Sequence, residues 1–279
     1  MKIFFGTYER LTLTLVFIIS IIYFIFFYKI VGYTPNYFGV YTQISLFAMP
    51  LLAGFFGLRQ AKKWGWESSV MGKAMIGLSI AELFYGTGFL IWTYYLISGS
   101  SMPYPSIADL FFVWYMPAWI YGLIKLSKVI GVNFGLRKLK STFKEKLFFS
   151  ISLIFAISVS YYLSAVVAYQ GTSTLTPVNL SLISIVNLIY NYRLLVQIVF
   201  TVFIYLLSRN YLGGIYYIPL LTILFGFVIH YVAMLIFSYG TTTYTYFNGN
   251  LADLMFTIGI YLECLGILNL DVRKVLNNK

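Results

Sequence analysis

Along most of the chain, apolar residues run in blocks of about 20, separated by short stretches that carry nearly all the charge. At about 1.5 Å of helical rise per residue, such a block matches the roughly 30 Å of a bilayer's hydrocarbon core. Eight blocks are predicted as spanning helices, at residues 11–32, 39–57, 75–97, 107–126, 147–169, 188–208, 215–238 and 250–270. No polar stretch is long enough for a soluble domain; the longest charged one covers residues 125–146. The expectation is an all-α, polytopic integral membrane protein, a single transmembrane domain over residues 1–279. Lys2 and Arg10 precede the first block as in a signal peptide. That block is long and no small-x-small cleavage site follows it, so it reads as a retained helix.

Two helix openings repeat inside this pattern. Pro103-Tyr104-Pro105-Ser106-Ile107-Ala108-Asp109-Leu110 leads into the fourth block, and Asn248-Gly249-Asn250-Leu251-Ala252-Asp253-Leu254 into the eighth. Asn191-Tyr192-Arg193-Leu194-Leu195 reads as a degraded copy, with arginine in place of aspartate. Pro50 follows Thr42, and Pro117 follows Asp109, at the same spacing, each preceded by methionine. The pattern predicts repeated helical hairpins, with kinks at both prolines unless neighbours satisfy the freed carbonyls.

Composition supports the membrane reading: 60% hydrophobic, 20% aromatic and 10% charged residues, with a mean hydropathy of +0.84. The net charge of +11 would suit nucleic acid on a soluble face. Here the cations sit between apolar blocks, so no nucleic-acid role is expected. All but Lys29 and Arg193 of the 19 lysines and arginines fall on one side of the predicted membrane. That bias predicts a multi-pass protein of the cell membrane with both termini cytoplasmic. The loops on the opposite side, about residues 98–106, 170–187 and 239–249, carry no charge; one holds Asn179-Leu180-Ser181, a glycosylation sequon. The basic cytoplasmic loop carries Lys125, Lys128, Arg137, Lys138, Lys140, Lys144 and Lys146. It suits anionic lipid, at about 1 kcal/mol per cation, or a protein partner. Trp64 and Trp66, beside Lys62 and Lys63, read as an interfacial anchor on the same side.

Ionisable residues inside hydrocarbon are expensive and so are functional candidates. They are Glu82, Asp109, Arg193, His230, Asp253 and Glu263. Asp109 and Asp253 open helices, where a carboxylate accepts free backbone N–H groups. Alternatively they form a cluster with Arg193 that lines a ligand pocket, its polar face extended by Asn191 and Gln197. Glu82 and Glu263 lie at matching depth, where they share a proton as an intramembrane acid pair or hydrogen-bond separately within the bundle. His230, the only histidine, reads as a packed polar residue, and Gly86 and Gly88 as close-packing positions. The single cysteine, Cys264, permits no disulfide framework within the chain. No metal motif, cofactor motif or nucleophile–base pair stands out, so no metal, cofactor or catalytic residue is expected, and the reading leans away from an enzyme.

The Pro103–Asp109 string with Tyr115-Met116-Pro117, and the Gly249–Asp253 string with Gly259 and Tyr261, resemble one known region. It is the multi-helix membrane sensor region found ahead of GGDEF diguanylate cyclases and prokaryotic histidine kinases. The resemblance covers about residues 40–270. It implies a sensory or scaffold module that binds a small or lipid-like ligand and relays to a separate partner. Arg193 departs from it, standing where that region tends to carry an acidic residue. Too few residues follow the eighth block for a kinase or cyclase domain, so a stand-alone module is expected. A membrane-anchor subunit and a proton- or ion-coupled transporter are the alternatives. Abundant Tyr and Ile with one Cys accord with a thermophilic prokaryote.

Overall fold

The computed structural model describes residues 8–26, 35–100, 103–131, 143–170, 182–208 and 216–271. Its helices are α1 (Tyr8–Phe26), α2 (Pro35–Lys63), α3 (Val70–Ser98), α4 (Ile107–Val129), α5 (Phe143–Tyr161), α6 (Leu182–Ser208), α7 (Tyr217–Thr242) and α8 (Leu251–Leu268). No strand occurs among the described residues. Each of the eight helical segments is long and apolar enough to cross a bilayer. The chain is an all-α, polytopic membrane protein.

Helix ends follow local chemistry. The Ser69 hydroxyl accepts the Gly72 N–H at 2.8 Å and starts α3, while Gly99, at φ 66°, closes it in the left-handed region that glycine enters without strain. α2 runs past the apolar block to Lys63, because Lys62 and Lys63 in its last turn face the negative end of the helix dipole. Pro50 and Pro117 lie within α2 and α4, and both helices continue through them. Past Tyr161, α5 widens into a π-helix, Tyr162–Ala168.

α8 forms the centre. It is 72% buried over its apolar window, against 17% for α1 and 22% for the α5 span, so those two form the rim. α8 packs most closely on α7 and also meets α1, α2 and α3. α6 packs against α4, α5 and α7. Glycines allow the closest approach: a Cβ on Gly226 of α7 would lie 2.8 Å from the Glu263 backbone N, and one on Gly259 of α8 would lie 3.0 Å from the His230 N. The hairpins α3/α4 and α7/α8, whose returning helices carry the two repeated openings, are tight. The pairing α2/α3 is equally tight, while α1/α2 and α5/α6 are looser, so close packing is not confined to hairpins.

At the end of the bundle away from Asp109, Arg10 donates to Asn269 Oδ1 at 2.9 Å. Trp64 Nε1 donates to the Leu270 carbonyl at 2.8 Å. Trp64 thus ties α2 to the end of α8 instead of serving only as an interfacial anchor. Lys128, Lys144 and Lys146 are exposed, and Lys125 lies 5.3 Å over the Tyr121 ring. Arg137, Lys138, Lys140 and Asn179 fall outside the described residues.

Candidate functional site

The two Ala-Asp-Leu openings fold alike. Ser106 precedes α4, and its N–H donates to Asp109 Oδ2 at 2.6 Å. Asn250 precedes α8 and accepts the Ala252 N–H at 2.8 Å; Asp253 reaches back to the Gly249 N–H. Each aspartate thus sits in the first turn of its helix, satisfying a loop donor at the positive end of the dipole. Each also receives a tyrosine hydroxyl. Tyr190 of α6 donates to Asp109 Oδ1 at 2.5 Å, and Tyr246 donates to Asp253 Oδ1 at 3.1 Å.

Asp109, Arg193 and Asp253 meet at one cavity of about 540 Å³, a size that suits a small organic ligand. Its walls are mainly aromatic, with Phe89, Trp92, Phe112 and Phe256 among them, and its rim includes Tyr104 from the proline-rich turn. Tyr104 donates to Asn187 Oδ1; burial and the nearby Asp109 carboxylate push its pKa up, so it stays a donor at neutral pH. The π-helix ends beside Tyr169, which also lines the cavity. Such widened turns recur at functional sites.

Arg193 does not pair with either aspartate: among the described residues no carboxylate oxygen lies within 4.0 Å of its guanidinium. Of the two readings of these aspartates, the helix-opening one holds for Asp109, and the alternative cluster lines one cavity without an ion pair, since the Tyr190 hydroxyl occupies Asp109. The guanidinium carbon lies 5.8 Å from the Tyr190 ring and 5.3 Å from that of Tyr115. Nη1 donates to the Phe112 carbonyl at 3.3 Å, one residue before the carbonyl that Pro117 leaves without its helical donor. Nε and Nη2 have no hydrogen-bond partner among the described residues, although Arg193 is only 5% exposed. Gln197 stands outside the cavity lining, fully buried, with Nε2 donating to the Phe227 carbonyl at 3.4 Å.

Beneath the cavity lies a chain of protonatable groups. The Tyr85 ring borders the cavity, and its hydroxyl is 3.0 Å from His230 Nε2. His230 Nδ1 is 2.9 Å from Glu263 Oε1, and Tyr115 donates to Glu263 Oε2 at 3.1 Å. Rings of Phe227 and Phe256 flank the imidazole at 6.2 and 5.4 Å and help to exclude water. The histidine is a packed polar residue, as its place in the apolar run suggests, and it is also the hub of a network. Its two nitrogens bridge a phenol and a carboxyl, so moving one proton changes every bond in the chain.

Glu82 and Glu263 do not bond to each other. Cys264 donates to Glu82 Oε2 at 3.4 Å, while Glu82 Oε1 is buried without a hydrogen-bond partner among the described residues. The two carboxyls of the expected acid pair share no hydrogen bond, because Cys264 faces Glu82 and its chain neighbour Glu263 faces His230. A Cβ on Gly88 would lie 2.6 Å from the Phe112 ring, and one on Gly86 2.8 Å from Leu51, so both glycines serve packing. Among the described residues, no three His, Cys, Asp or Glu side chains are grouped to hold a metal. Compared with protein-family models, curated proteins and solved structures, the chain matches none.

The sequence alone does not single out Tyr85, Tyr115, Tyr190 or Tyr246. A weak signal exists in retrospect: Tyr85 lies one turn from Glu82 and Tyr190 one turn from Arg193, on shared helix faces.

Proposed function

We propose that this chain is a membrane-embedded sensory or scaffold module that takes a small or lipid-like ligand into the cavity and relays its occupancy through the bundle. One observation carries this reading: Tyr85 both borders the cavity and hydrogen-bonds His230, so a ligand against its ring bears on the buried chain. With the charge bias read as positive-inside, the cavity opens away from the cytoplasm and the basic loop faces a cytoplasmic partner or anionic lipid. The sensor-region resemblance agrees with that direction of signalling. Native purification in mild detergent with mass spectrometry of bound species tests the proposal. A retained small molecule or lipid, lost when Phe89→Trp narrows the cavity, is the expected result. A stoichiometric protein subunit, with no cavity ligand, would make the chain an anchor instead.

The chain Tyr85–His230–Glu263 supports a second reading, proton-coupled transport, since buried ionisable groups in hydrocarbon commonly mark proton paths. Proton uptake by liposomes carrying the protein, abolished by His230→Gln, would favour it over the receptor.

A further inference from the structure

Arg193 defines what the cavity accepts. Each oxygen of Asp109 and Asp253 already receives a donor: Tyr190 and Ser106 on the first, Tyr246 and Gly249 on the second. Arg193 is the opposite case. A guanidinium taken out of water is costly unless it is fully hydrogen-bonded, and here one 3.3 Å bond to a carbonyl is its only hydrogen bond among the described residues. Nε and Nη2, the two unpartnered nitrogens, form one side of the planar fork and present parallel N–H bonds. That edge matches two oxygens of one carboxylate or phosphate. A lone halide or a hydroxyl would fill only half of it. Most of the remaining wall is aromatic, with Asn187, Ser238, Thr241 and Thr242 as polar positions beside the two aspartates, and Gln43 contributes a buried Oε1 that has no partner among the described residues.

Resting on the ligand-binding reading above, we infer that the cavity holds an apolar molecule ending in a two-oxygen anion, its head paired with the Nε–Nη2 edge of Arg193. That edge is buried in this structure and must be uncovered for the head to seat. The body lies among Phe89, Trp92 and Phe256. The head could arrive on a free amphiphile or on an anionic lipid; the chemistry at Arg193 is the same.

The test uses the full chain in phosphatidylcholine nanodiscs, with tryptophan fluorescence as the readout because Trp92 lines the cavity. The probes are decanoate, decanol and inorganic phosphate, and a second set of nanodiscs contains phosphatidylglycerol. Decanoate should bind at least tenfold more tightly than decanol and than phosphate. Arg193→Gln should abolish that preference, bringing decanoate to the affinity of decanol in the same variant. Phosphatidylglycerol that competes with decanoate would place the anion on a lipid; no competition would place it on a free amphiphile, and either supports the inference. Decanol binding as well as decanoate overturns the inference while the ligand cavity stands. Absence of saturable binding by every probe overturns both. The wild-type comparison decides even if Arg193→Gln fails to fold, and Arg193→Lys, which keeps the charge but loses the fork, should reduce the preference several-fold.

Discussion

At the residue scale, His230 has the most at stake. Both ring nitrogens are engaged, so His230→Leu strands the Tyr85 hydroxyl and a Glu263 oxygen in a dry core. Leaving such groups unpaired costs on the order of 2–5 kcal/mol. Tyr85→Phe removes one neutral partner and should cost only about 1 kcal/mol, as hydrogen bonds between membrane helices do. Thermal unfolding in detergent checks the order; equal losses would contradict the network. A second prediction concerns Arg193. Because Tyr190 stands on Asp109, exchanging charges as Arg193→Asp with Asp109→Arg should not restore stability lost in either single variant, and rescue would reveal a direct pair. The sequence exposed the ionisable half of this site, since charge in an apolar run is conspicuous. It hid the tyrosines that complete it, because 26 of them are spread through interfaces and core alike.

At the scale of elements, capping and glycine contacts position the chemistry. Asp109→Ala should cost about 1 kcal/mol through the lost helix-start interaction with Ser106. Asp253→Ala should behave alike if the two openings are equivalent, and calorimetric or thermal midpoints in detergent compare them directly. Gly226→Ala places a methyl 2.8 Å from the Glu263 N, which forces α7 from α8 at about 1–3 kcal/mol. It should also disturb His230, which Gly226 and Gly259 bring close to α8. The two aspartate openings were legible because the same residue types recur in the same order. The third was not, since Arg193 lies well inside α6, which begins at Leu182. The π-helix at Tyr162–Ala168 had no warning in the apolar pattern, because Val, Ala and Ser suit an ordinary helix turn equally well there.

At the scale of the molecule, hydrophobic period and block length were enough to place eight helices, since the bilayer fixes their length. They could not tell rim from centre, because in lipid both are apolar; burial separates α8 from α1 and α5. The proposed orientation is open to a direct check, since Cys264 is buried and is the only cysteine. Tyr244→Cys, at a 96% exposed position, should react with an impermeant maleimide on intact cells, and Lys144→Cys only after permeabilisation. The central claim is that occupancy of the cavity reaches His230 through Tyr85. Since the chain contains one histidine, ¹⁵N-histidine labelling of protein prepared without a histidine tag gives a single pair of imidazole signals. Their shifts should change when decanoate binds and should stay fixed in Tyr85→Phe. Signals unmoved in the wild type, while Trp92 fluorescence shows the cavity filled, would contradict the claim.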